Sequence, residues 1–165
     1  IRAVIMNKLE MDVRDTVLLA NAESIAVEAS MVAYEGVVIA AERDAGSLRT
    51  MEENASKFGT HNIEIIPEIT VEALEKLPTP RLAFIVAQKS TIDNDIVTLL
   101  KVNPKIKFII YTLELDILAD IKYLMKKHGV DVTEVMQIAV SKVDKNGVFV
   151  AQPAPWMITC EVKEK

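Results

Sequence analysis

At 165 residues, with 50% hydrophobic and 26% charged side chains, the chain is long enough for one globular domain with a substantial core. Its net charge of -5, with the cations spread along the chain, argues against a nucleic-acid groove, and no run reaches the ~18 apolar residues of a membrane span. The single Cys160 excludes an internal disulfide and a cysteine metal cluster.

No signal peptide is read at the start, so a cytoplasmic protein is expected. Arg2–Leu9 reads as a short amphipathic helix. Nearly continuous apolar runs then recur at Thr16–Ala20, Val37–Ala41, Ile63–Ile66, Leu82–Val86 and Lys107–Thr112, as in parallel strands covered on both faces. Helical patterns separate them at Ser24–Ala33, Ala45–Phe58, Val71–Lys76, Ile92–Val102 and Leu115–His128. Asp44 is placed to cap the helix that Gly59 closes, and Gly129 ends the last helix. Pro78, Pro80 and Pro104 punctuate the segments before the fourth and fifth strands.

The final third changes character. Val130–Lys142 and Val148–Val162 read as two long strands joined by "DKNG", a hairpin with Asn146-Gly147 at its tip. Five strand–helix units and an antiparallel pair predict one domain over residues 1–165, built on a doubly wound sheet with a mixed edge. Lys126-Lys127-His128 is expected to complement a helix C-terminus rather than bind an anion. His61 and His128 are expected to be exposed loop residues.

The stretch "TVLLANAESIAVEA" has the outline of a strand entering a helix through a tight turn, and "VVIAAERD" follows as a second strand ending on an acid. Nucleotide-binding turns of this kind are normally rich in glycine, and Leu19-Ala20-Asn21-Ala22-Glu23 contains none. The missing G-x-G-x-x-G also argues against a nicotinamide-dependent oxidoreductase.

Taken together, "IRAVIMNKLEM.VRDTVLL", "SIAVEAS", "VVIAAERD…ENASKFGTHNIEII", "VEALEKLPTPRLAFI", "TLELD" and "AVSKV…NGVFVAQPAPWMI" resemble one family over essentially the whole chain. That family is the decarboxylating precorrin-6Y C(5,15)-methyltransferase family, in its carbon-15-methylating, decarboxylating subunit or domain. The resemblance implies a Rossmann-like class I methyltransferase fold: a seven-stranded, mostly parallel sheet with an antiparallel C-terminal hairpin. It implies methylation and decarboxylation of a precorrin in cobalamin synthesis, S-adenosylmethionine as cofactor, a tetrapyrrole as substrate, and a homo-oligomer such as a tetramer. It implies no metal. It assigns no catalytic side chain either, because a sulfonium is a strong electrophile and the protein mainly aligns the reacting carbons.

By the same resemblance Glu42 is the acid that accepts from the ribose hydroxyls. The cofactor loop maps onto Ala20, Asn21, Ala22 and Glu23, with Leu19 and Glu23 replacing glycines. Glu68-Ile69 stands where the family has Gly-Asp at the adenine, and Ala87-Gln88-Lys89-Ser90 replaces a glycine-rich run. Lys89, Thr112 and Ser141 are the substrate-side candidates. Each has an ordinary alternative: Glu42 as a solvated acid, Glu23 as a helix-start acid, Lys89 as a loop lysine, Trp156 as a packing residue. Two like charges about 4 Å apart repel by ~1 kcal/mol even in water, so Glu23 opposes the cofactor's carboxylate. Leu19 and Glu23 are expected to narrow the pocket between Ala20–Ser24 and Glu42, so that the cofactor binds weakly or not at all. Two functions follow: a precorrin methyltransferase, or a catalytically impaired subunit that binds a partner or tetrapyrrole without methyl transfer.

Overall fold

The computed structural model describes residues 1–164. Helix α1 (Arg2–Leu9) leads into β1 (Thr16–Ala20), α2 (Glu23–Val32), β2 (Val37–Ala41), α3 (Ala45–Phe58), β3 (Ile63–Ile66) and α4 (Val71–Leu74). Then come β4 (Leu82–Val86), α5 (Ile92–Val102), β5 (Lys107–Thr112) and α6 (Leu115–Lys127). Four strands close the chain: β6 (Val130–Gln137), β7 (Ser141–Val143), β8 (Phe149–Ala151) and β9 (Trp156–Val162). The five apolar runs are strands with the expected bounds, while α2, α4 and α6 differ from expectation at their ends.

The main sheet has seven strands in the order β3-β2-β1-β4-β5-β9-β6. The first five are parallel, and β9 runs antiparallel to both of its neighbours. This is the Rossmann-like methyltransferase arrangement. Strand order reverses between β1 and β4, so the crevice beyond their carboxyl ends is the natural ligand position.

Strand pleat sorts the core. Leu18 and Ala20 of β1 face one layer with Leu74, Ile96, Leu99 and Ile121 of the helices that follow β3, β4 and β5. Val17 and Leu19 face the other, with Ile5, Leu9, Ile25 and Met51. Each large apolar side chain taken fully out of water, as Phe84 and Phe108 are, contributes about 1.5–3 kcal/mol.

The helix boundaries have local causes. Asp44 accepts a hydrogen bond from the Ser47 amide at 2.8 Å, and Gly59 closes α3 with φ 65°, a conformation that costs a side-chain-bearing residue energy. Gly129, with φ 76°, follows the capping residue His128 at the end of α6, and Lys126 and Lys127 lie in the helix's last turn, as expected. His128 departs from expectation. It is half-buried, with Nε2 3.0 Å from an oxygen of Asp93 on α5.

The predicted terminal hairpin is interrupted. Each long strand breaks, at Ile138–Val140 and at Gln152–Pro155, and the outer halves β7 and β8 form a two-stranded sheet of their own. Pro153 and Pro155 have no amide proton to give a ladder, so the main sheet cannot continue through them. The expected turn is present at the tip, where Asp144 Oδ1 accepts from the amides of Asn146 and Val148. Val143, Val148, Phe149 and Val150 on this ribbon are exposed.

Candidate functional site

The β1–α2 turn is pinned from both sides. The Asn21 amide donates to Ala41 O at 2.9 Å, and its Nδ2 donates to Val86 O at 3.3 Å. Asn21 takes φ 55°, a left-handed conformation that asparagine tolerates, so this position keeps the backbone shape of a glycine turn. Its Oδ1 is buried without a partner. Leu19 does not narrow the pocket as expected: as a strand residue it points into the core with Ile5, Leu9 and Ile25 and is 1% exposed. Ala20 is likewise fully buried, in the opposite core layer.

Glu23 opens α2, and its Oε2 is buried with no hydrogen-bond partner. Glu42, directly beyond β2, is 4% exposed, and its Oε1 accepts from the Asp44 amide at 3.3 Å. Burial pushes the Glu42 carboxyl above its usual range, and the nearby charges of Glu23 and Asp44 push it further. Two carboxylates therefore bear on the same corner of the sheet edge.

The next residue, Arg43, was not foreseen. Its Nη2 donates to Asp95 Oδ1 on α5 at 2.7 Å, and its Nε donates to Glu68 Oε1 beyond β3 at 3.2 Å. The Asp95 side chain is 1% exposed and that of Arg43 18%, so this ion pair lies inside the protein. Removing one partner of such a buried pair costs about 3–5 kcal/mol, because the other charge is stranded. Burial also pulls the Asp95 carboxyl upward against the opposing effect of the guanidinium. A signal existed in the sequence: Asp95 stands among Ile92, Ile96 and Leu99 on the apolar stripe of its helix, where an acid requires a partner. Ile69 and Ala87, the positions mapped to the cofactor base, are both buried in the core layer with Ile66, Leu74 and Ile92.

The open space lies elsewhere along the edge. A cleft of about 300 Å³ is lined by Arg2, Asn21, Ala22, Ser24, Val86 and Tyr111. A second, of about 360 Å³, shares Tyr111 and continues past Leu113 and Val140 to Lys142 and Gln152. Together they form a groove with an apolar floor, and the cations Arg2 and Lys142 have no acidic partner among the described residues.

The substrate-side candidates do not converge. Lys89 pairs with Asp116 at 2.9 Å on a separate cleft between α5 and α6, and this partner raises its ammonium pKa. Thr112 is buried, with its hydroxyl accepting from the Glu114 amide at 2.9 Å. Ser141 is exposed at the start of the ribbon, one residue from the groove cation Lys142. Trp156 is half-buried in β9 opposite Thr112 and Gln137. Among the described residues no group of three or more His, Cys, Asp or Glu side chains is arranged to hold a metal.

The arrangement does not fit S-adenosylmethionine. Neither of these two clefts is lined by Glu42, Ile69 or Ala87, Glu23 adds a second carboxylate beside Glu42, and Arg43 is held between Glu68 and Asp95. The groove ends short of the nucleoside side of the edge.

Comparison with known proteins gives a consistent outline. Residues 1–162 match the model of a family described as "precorrin methyltransferase domain". The structure superposes on precorrin-6Y C5,15-methyltransferase from Geobacter metallireducens with a TM-score of 0.87 and 25% identity, covering 98% of this chain and 87% of that one. Precorrin 8w decarboxylase from Methanobacterium thermoautotrophicum matches with a TM-score of 0.80 and 19% identity, over 98% and 89%. The C-terminal domain of precorrin-6Y C5,15-methyltransferase from Rhodobacter capsulatus matches with a TM-score of 0.77 and 16% identity, over 97% and 87%. The last two likenesses speak to fold alone. No curated protein matches the chain.

Proposed function

The chain belongs to the precorrin methyltransferase domain family, and from that premise we propose that it works on a precorrin in cobalamin biosynthesis, as one methyltransferase-like domain in the cytoplasm. On this reading the family's chemistry, S-adenosylmethionine-dependent methylation with decarboxylation, requires the closed nucleoside side to open before the cofactor enters. The observation that carries the reading is the family match over residues 1–162.

The groove supports a macrocycle ligand. A precorrin combines a broad apolar ring with many carboxylates, and a floor of Val86, Tyr111 and Leu113 flanked by Arg2 and Lys142, which have no acidic partner among the described residues, offers the complementary chemistry. Those cations matter in a protein whose net charge of -5 otherwise repels a polyanion. Within this proposal Glu42, Ala20, Asn21, Ala22, Glu23, Ile69 and Ala87 form the nucleoside side, and Ser141 borders the macrocycle side. The exposed apolar ribbon around Phe149 is assigned to contact with a second copy of the chain, since an isolated two-stranded ribbon is marginal in water.

The closed nucleoside side favours a second reading: a subunit that holds the macrocycle without transferring methyl. Two titrations separate the readings, S-adenosylhomocysteine by calorimetry and the octacarboxylate uroporphyrin by absorbance. Micromolar binding of both supports the enzyme, especially with labelled methyl transfer to a precorrin. Uroporphyrin binding alone, weakened several-fold by Lys142→Ala, supports the second. Binding of neither removes both.

A further inference from the structure

We infer that Arg43 is an internal occupant of the nucleoside slot, a latch whose guanidinium sits where a purine would enter between the carboxyl ends of β2, β3 and β4. The inference rests on the proposed reading of this edge as a nucleoside site. Its contacts place it there: Arg43 leaves β2, Glu68 follows β3, and Asp95 belongs to the helix that follows β4.

Burial distinguishes this latch from a surface ion pair. The Asp95 side chain is 1% exposed and that of Arg43 18%, so the contact replaces solvent in the interior rather than decorating a rim. Ile69 and Ala87, which follow β3 and β4, are themselves buried in the core. The contact is also incomplete. Arg43 Nη1 and Asp95 Oδ2 are both buried without hydrogen-bond partners among the described residues, so the pair lacks the parallel two-bond fork that arginine and a carboxylate form when unconstrained. An ion pair selected only as a strut has no reason to leave one buried donor and one buried acceptor unused. A side chain lodged in a space shaped for a different group does. Glu68, exposed at the rim, holds the guanidinium from outside at 3.2 Å.

A nucleoside therefore binds only to the fraction of molecules in which Arg43 has swung out, and its apparent affinity is reduced by that fraction. The test is calorimetric titration of the chain with S-adenosylhomocysteine, comparing wild type, Arg43→Ala, the double variant Arg43→Ala/Asp95→Asn and Glu68→Gln. The double variant removes both charges, so no stranded carboxylate threatens folding, which circular dichroism confirms. The expected result is roughly tenfold or greater tightening in Arg43→Ala or the double variant, with Glu68→Gln within about twofold of wild type. Three results overturn the latch: micromolar binding by wild type, a folded double variant that binds no tighter, or tightening by Glu68→Gln equal to that of the arginine variants. Uroporphyrin binding measured on the same samples reports separately on the proposed function. Its absence from wild type removes that reading, while the nucleotide titrations still decide the latch.

Discussion

The side-chain Nδ2 of Asn62 lies 2.7 Å from the carbonyl oxygen of Ala33, tying the residue before β3 to the C-terminal end of α2. The same nitrogen reaches Ser30 O at 3.1 Å, and the residue is 8% exposed. Helix ends leave carbonyls without intrahelical donors, and here one side chain supplies what water cannot. Ala33 O also accepts from the Gly36 amide at 2.8 Å, so Asn62→Ala chiefly strands Ser30 O and is expected to cost about 1–2 kcal/mol. Urea unfolding measures it, and a loss below about 0.5 kcal/mol, the ordinary range for surface changes, contradicts the role.

Gly36 makes a different demand. A Cβ added there would lie 1.9 Å from the carbonyl oxygen of Asp15, which accepts the Val37 amide at the start of β2. Backbone cannot yield as a flexible side chain can. Gly36→Ala should destabilise by about 3 kcal/mol or more, seen as a lower thermal midpoint with unchanged secondary structure below it.

Glu42 predicts a pH dependence. Its carboxyl is raised from 4.5 by burial first and by Glu23 next, so the folded protein holds this proton to a higher pH than the unfolded chain does. Stability from this group therefore falls as pH rises from 4.5 through the folded pKa. Glu42→Gln should be at least as stable as wild type at neutral pH, with the difference vanishing below 4.5. A variant less stable at neutral pH contradicts the prediction.

Asp15 and Arg81 act with the opposite sign. Arg81 donates to both Asp15 oxygens, at 2.7 and 2.8 Å, joining the approach to β1 to the approach to β4. The guanidinium holds the Asp15 carboxyl below 3.8, so this contribution is present above that pH and lost as pH falls through the folded pKa. Arg81 is 47% exposed, so Asp15→Asn should cost only about 1 kcal/mol at neutral pH. The gap from wild type should close under acid, and a gap constant down to pH 2 denies the coupling.

The parallel half of the fold was legible because buried strands carry continuous apolar runs whose ends are marked by Asp44, Gly59 and the prolines. The C-terminal strands were legible only in outline. Apolar residues run on through Ile138–Val140, and nothing local there says that the ribbon leaves the sheet, although Pro153 and Pro155 do so on the opposite strand. At the site, the family resemblance pointed to Glu42 and the Asn21 turn, and it treated Leu19 and Glu23 as obstructions. Leu19 lies in a strand, where pleat sends its side chain to the core. Arg43 could not be paired from the sequence because Glu68 follows β3 and Asp95 lies on α5, and a long side chain's reach is set by tertiary structure. Lys89 was misleading for the same reason, since Asp116 lies across another groove.

Cys160 supplies an internal probe of the sheet. It is fully buried in β9 between Phe108 and Val132, and burial pushes its thiol up to about 12. Only the thiolate of an opened protein reacts. Labelling at neutral pH should be slower than in denaturant by roughly a thousandfold or more, and rapid native labelling would refute the placement of β9.

The position of β9 also orders events during synthesis. Within the main sheet β6 touches only β9, which separates it from β5. Yet β6 leaves the ribosome first, while the free edge of β5 already offers unpaired amides and carbonyls. Docking there would seal the slot that the last strand needs. Asp131, Thr133, Glu134 and Gln137 give β6 a polar character, and its central residues remain exposed even in the finished sheet. A strand with so little to bury has weak reason to stick early, so its hydrophilicity keeps the vacancy open until its proper neighbour emerges.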